Sequence, residues 1–259
     1  MLNAVNKTIS DAMQAMNNSL ARMYFQFANV YVKATPEQLL DISYNVGSSS
    51  FKIEDMAQVM VADEYTFHVF PLSKGFTTLV TMAFEQDKPQ FKQKLFKNPY
   101  GEVPEDAEQA VKDRWPDMLL AVAMPDVTSD LKDIYDKGVD YLHDITKTAI
   151  EVKYTEASTK LKTQLIDFPK YYADAHIKKL DNEHDSVVKR MEEYYEKKKR
   201  DIEEAYNYYE SFGERPVNTN PVSFDDSETA SSSQKPDDIY KKGAMSQEEK
   251  ENDGSVFNY

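Results

Sequence analysis

No cysteine occurs among the 259 residues, which excludes disulfides, thiolate nucleophiles and thiolate metal sites. No apolar run approaches the roughly 20 residues that a helical membrane span requires; the longest extends only from Met118 to Met124. The start, MLNAVNKTISDAMQAM, has no basic region followed by an apolar one. No secretory signal is therefore expected, and the protein should stay where it is made, in the cytoplasm or in a virion. Positive charge is scarce as well. The chain has 31 basic against 45 acidic residues, a formal charge of −14, and such a body repels nucleic-acid backbones unless its cations gather on one face. Catalytic signatures are missing: there is no G-x-S-x-G, no Walker-type glycine loop and no H-E-x-x-H. Asp181-x-x-His184-Asp185 could present an oxygen and a nitrogen on one helical face. Zinc takes three or four protein ligands, and no second cluster supplies the rest. The expectation is a protein that is no enzyme and has no cofactor, metal site or membrane span.

What is present is hydrophobic periodicity, carried by the 41% of residues that are hydrophobic. Val5, Ile9, Met13, Met16, Leu20 and Met23 recur three or four apart, predicting a helix over 2–33 that Pro36 ends. A second helical pattern runs from a Thr128 or Ser129 N-cap to Pro169, and a third from there to Phe212, with Gly213 as its stop. Between the first and second lies a different texture. Ile42–Val46 alternates, Gly47–Ser50 turns, and Tyr65–Phe70 is aromatic and β-branched, which predicts short strands with a helical turn near Ile53–Val59. Met118–Met124 reads as a further strand. Four prolines mark residues 86–117 as an irregular excursion with one short helix at Glu105–Arg114. The predicted class is mainly α with a small β insertion (α+β). Residues 1–36 and 125–213 form a long antiparallel three-helix bundle, and 37–124 form the inserted β subdomain. Residues 214–259, rich in Ser, Pro and acidic side chains, form a flexible, disordered tail.

This order of elements resembles the ribosome recycling factor family. Ala34-Thr35-Pro36, Leu39, Ile42 and Gly47 are similar to the family's A-x-P-x-x-L-x-x-I segment and glycine turn. Asp63-Glu64-Tyr65-Thr66-Phe67 is similar to D-x-R-T-L, with Tyr65 in place of the arginine, and Met124-Pro125-Asp126-Val127-Thr128 is similar to L-P-x-L-T. The resemblance covers residues 1–210 apart from the excursion. It implies a non-enzymatic factor that holds ribosomal RNA with arginines, whose planar forks suit phosphate. Those positions fall on Lys33, Lys147, Glu151, Tyr154 and Thr155. Two keep a positive charge, one is reversed in sign and two are neutral, so the RNA grip should be lost and nucleic acid is an unlikely partner.

Two functions follow as expectations. The first is a structural or assembly subunit of a large complex, such as a virion neck or connector ring, oligomeric and bound to protein partners. The alternative is a divergent recycling-factor-like translation factor that meets the ribosome. The third helix carries more tyrosines than one buried stripe can use. Tyr194, Tyr206 and Tyr208 are either a partner-facing strip or partly exposed side chains without a role. Phe257 and Tyr259 at the end of the tail are either a docking tip or a solvated terminus. The run Lys197–Arg200 is flanked by acidic residues and reads as a solvated face.

Overall fold

The computed structural model describes residues 2–39, 41–100 and 108–222. The chain divides into two compact units, Met1–Val30 with Asp126–Gly213, and Tyr31–Pro125 with Glu214–Tyr259.

The first unit is a three-helix bundle of α1 (Leu2–Phe27), α5 (Ser129–Gln164) and α6 (Lys170–Phe212). Val5, Ile9, Ala12, Met16, Leu20, Met23 and Phe27 of α1 are buried, a spacing of three and four that puts them on one face. They meet Val139, Ile150 and Leu161 of α5 and Leu180, Val187, Met191 and Ile202 of α6. Thr8 bonds Gln164 at 3.1 Å and Arg190 bonds Asn17 at 2.7 Å, so α1 runs antiparallel to α5 and parallel to α6. Thr128 caps α5 by accepting from the Leu131 amide at 3.4 Å. Gly213 ends α6 at φ 74°, a left-handed conformation that side chains disfavour. The first helix stops at Phe27, six residues short of the predicted end, because three successive tight turns from Ala28 to Val30 replace the helical ladder.

The second unit is built on a four-stranded antiparallel sheet in the order β3 (Ala57–Asp63), β4 (Thr66–Pro71), β6 (Met118–Ala123), β5 (Lys92–Lys97). A separate hairpin, β1 (Ser43–Val46) with β2 (Ser49–Lys52), turns at Gly47, whose φ is 60°. One face of the sheet packs Phe67, Val69, Leu120 and Val122 under Val80, Ala83 and Phe84 of α3 (Phe76–Asp87). The other gathers Met60, Phe70, Phe96, Leu119 and Ala121 with Trp115, which follows α4 (Gln109–Arg114). Burial on both faces explains why β6 reads as a continuous apolar run and why β4 has no exposed position.

Several expectations change here. The helical turn near Ile53–Val59 is only α2 (Ile53–Met56), and strand β3 begins at the next residue. The excursion at 86–117 is not wholly irregular, because it contains β5. Its lysine-rich sequence suits an edge strand, where charge discourages further pairing. The flexible tail does not begin at Glu214. Val217 and Val222 pack on the outer face of the sheet, since that face would otherwise leave Phe70 and Leu119 to water. The rest of the expected tail, from residue 223 on, lies outside the described residues.

Candidate functional site

The polar side chains of α5 and α6 are joined by a ladder in one antiparallel register. Lys132 meets Glu203 at 3.1 Å, and Lys199 meets Asp136 at 2.8 Å and Asp140 at 3.0 Å. Tyr195 donates to Asp140 at 2.9 Å, and His143 pairs with Glu192 at 3.1 Å. Beyond these, His184 pairs with Glu151 at 3.0 Å and Tyr154 donates to Asp181 at 2.8 Å. Each step along one helix is matched by an equal step back along the other, except that Lys199 also reaches diagonally to Asp140, one turn beyond its register partner Asp136.

Two pairs of these rungs repeat each other. Asp140-x-x-His143 and Glu151-x-x-Tyr154 on α5 recur on α6 as Asp181-x-x-His184 and Glu192-x-x-Tyr195, 41 residues later. The buried positions Val139, Thr146, Ile150 and Leu161 recur as Leu180, Val187, Met191 and Ile202 at the same offset. Because the helices are antiparallel, the copies cross. His143 lies 4.4 Å from the ring of Tyr195, and His184 lies 4.3 Å from the ring of Tyr154. Each imidazole also meets the carboxylate that follows it, Asp144 or Asp185, at 3.2 Å.

The charges respond to this packing. The Lys132 ammonium is held well above its ordinary range by its hydrogen bonds to Asp136 and Glu203. Burial pulls Lys199 down, but its bonds to Asp136 and Asp140 outweigh that and leave it raised. Burial also pushes the Asp136 carboxyl up, and the two lysines more than offset it, so its pKa is lowered. The phenols of Tyr154 and Tyr195 are raised, chiefly because each donates to a carboxylate, Asp181 and Asp140 respectively. All are settled as structural donors or ions.

This ladder accounts for most of the positions that the family resemblance assigns to RNA. Glu151 and Tyr154 are engaged with α6, and Lys147 lies 4.0 Å from Glu192. Thr155 is exposed, and Lys33, in the other unit, lies 3.9 Å from Glu64. A phosphate arriving at this face of α5 meets carboxylates. The arginine missing at Tyr65 has a counterpart of another kind, since the Arg215 guanidinium sits 3.2 Å from the centre of the Tyr65 ring.

Of the three tyrosines proposed to face a partner, Tyr194 is 38% exposed, its ring 5.4 Å from that of Tyr24. Tyr206 is half-buried with the Lys132 ammonium 5.7 Å from its ring, and Tyr208 is half-buried against Phe212. Phe257 and Tyr259 lie outside the described residues. His184 stands in the α5–α6 seam. The equivalent role of His143 and the 41-residue repeat were missed, although the doubled Asp-x-x-His and Glu-x-x-Tyr spacing was readable in the sequence.

In the second unit, His68 is fully buried at the centre of the outer sheet face. Its Nδ1 lies 2.8 Å from the Tyr100 hydroxyl and its Nε2 3.0 Å from the Asn218 carbonyl. Asn218 also donates to Asp63 at 2.7 Å, and Lys92 binds Glu214 at 3.3 Å. Residues 214–222 are thus fastened across the sheet. No group of three metal-ligating side chains is present among the described residues, and none of their helices is long and apolar enough to cross a membrane.

Three long helices with a small sheet unit, the helices joined by polar contacts that look inward, define an α+β scaffold. Its fold is that of the ribosome recycling factors. The solution structure of the ribosome recycling factor aligns with a TM-score of 0.54 at 10% identity, over 79% of this chain and 100% of that one. The T. thermophilus ribosome recycling factor, in models that place it and the E. coli elongation factor G on the E. coli post-termination complex, aligns at 0.50 with 16% identity. That match covers 76% of this chain and 98% of the other. No protein-family model and no curated protein matches the chain.

Proposed function

We propose that this protein is a divergent, non-enzymatic factor of the ribosome-recycling-factor type, which acts by docking on the ribosome through protein surfaces rather than RNA phosphates. The observation that carries this reading is the shared fold, which extends over the whole of the recycling factor's chain. The alternative function expected from the sequence is therefore preferred to the assembly-subunit reading; neither similar structure supports a virion ring. The second half of the proposal rests on the acidic ladder. Glu151, Tyr154 and Thr155 offer no cation where the family resemblance puts arginines, and the chain carries a net charge of −14.

Co-sedimentation with ribosomes tests both halves. A protein that neutralises several phosphates loses about 10³–10⁵ in affinity between roughly 50 and 200 mM salt. This protein should pellet with ribosomes and lose less than about tenfold over that range. Failure to pellet at any salt would reject the ribosomal reading. Pelleting with the steep salt dependence would keep the ribosome and reject the protein-surface contact.

A further inference from the structure

Helix α5 carries a second apolar seam, on the side away from its buried stripe. Ile134, Tyr141, Ile145 and Val152 are 64%, 65%, 41% and 46% exposed. Gly138 and Thr148 stand between them, so the row runs from Ile134 to Val152 in alternating steps of four and three without a charged residue. That alternation is the spacing of a helix–helix seam. The bundle already occupies the opposite face of α5 through Val139, Ile150 and Leu161. One seam is filled, and the other is open to solvent.

The open row is its own complement. When a second copy is laid antiparallel with its centre at His143, Ile134 meets the copy's Val152, Tyr141 meets its Ile145, and Gly138 meets its Thr148. Twofold symmetry makes each contact twice, as an isologous interface requires. The flanking charges agree with this register. Lys137, which is exposed, faces the copy's Glu151 at both ends of one edge, and Glu151 uses Oε1 for His184. One like-charge approach, Asp144 against its counterpart, falls at the centre. Sliding the register one heptad toward the carboxy terminus opposes Asp144 to Glu151 twice along that edge. Sliding it the other way puts Val152 beyond the start of α5. The central register is the one that joins apolar to apolar and positive to negative.

We infer that the protein forms an antiparallel homodimer through the outer face of α5. This does not depend on the ribosomal reading, since its measurement is the mass of the isolated protein. Sedimentation of the full-length chain over a concentration series should show two copies. Ile145→Glu should weaken the dimer at least tenfold, with the helical circular dichroism unchanged. Lys137→Glu should weaken it too, and adding Glu151→Lys should restore it, which decides the matter if Ile145→Glu disturbs folding. The absence of native cysteine allows a test of direction. A Tyr141→Cys protein mixed with an Ile145→Cys protein should cross-link under mild oxidation, whereas neither should cross-link alone. A chain that stays single at the highest concentration overturns the inference and leaves the seam for a helix of another protein. A dimer indifferent to both the Ile145 and Lys137 changes, or one that cross-links through Tyr141→Cys alone, overturns it as well.

Discussion

A titratable side chain can be buried cheaply only if it stays neutral and both of its polar ends are paired. His68 meets that condition. The Asn218 carbonyl can only accept, so Nε2 must carry the proton and Nδ1 must accept from the Tyr100 hydroxyl. Burial lowers the His68 pKa, against the opposing pull of the Asn218 carbonyl and of Asp63. The folded chain therefore binds this proton less readily than the unfolded chain does. Its contribution to stability is complete above the ordinary histidine value of about 6.5 and is lost as pH falls from there toward the lowered folded value. His68→Ala would leave the Asn218 carbonyl and the Tyr100 hydroxyl without this partner, a loss of about 2–3 kcal/mol. Thermal melting from pH 7 down to about 5 should show the wild-type protein losing stability more steeply than the variant. Equal slopes would mean that His68 does not hold the segment at 214–222.

At the scale of the element, the α5–α6 ladder combines half-buried ions with neutral donors. An exposed pair such as Lys153 with Glu156 contributes little, because water screens it and two long side chains must be ordered. Lys199 is different, for it lies between Asp136 and Asp140 with its side chain 29% exposed, and Lys132 supports the same Asp136. Lys199→Met should lower stability by about 1 kcal/mol, roughly 2–4 °C in melting temperature, while Lys153→Met should leave it unchanged. Calorimetry of the two variants would show whether the network or the single pair matters. The long helices were legible because their apolar spacing continues for about seven to twelve turns without a competing signal. Helix α3 was not, since Thr77, Thr78, Val80 and Thr81 are β-branched and favour strand by local preference; packing of Val80 and Phe84 on the sheet overrides it. Strand β5 was hidden by its lysines, which suit an edge and disfavour a central strand. The outward seam of α5 went unread because a single helix pattern was assigned one buried face. Once Val139, Ile150 and Leu161 are assigned to the bundle, Ile134, Tyr141, Ile145 and Val152 are left over.

At the scale of the molecule, the sheet unit is assembled from segments distant in sequence. Strands β3 to β6 are complete by Ala123, yet the cover of their outer face comes from residues 214–222, after α5 and α6. Such a contact closes a long loop, and its entropy must be offset by burial and polar pairing. Val217 and Val222 supply the apolar part, and Asn218, Arg215 and Glu214 the polar part, through His68, Tyr65 and Lys92. Removing the segment would uncover Phe70, Leu119 and Ala121 together, a contiguous patch of the kind that promotes association. Two valines partly returned to water and two orphaned polar groups amount to about 3 kcal/mol or more. A chain ended after Gly213 should therefore melt lower than one ended after Val222, bind more of a dye that reports exposed apolar surface, and aggregate sooner on warming. The two should have nearly the same helical content, because the bundle keeps every residue from Asp126 to Gly213 in both. If the shorter chain melts at the same temperature and binds no more dye, the segment lies on the sheet without stabilising it.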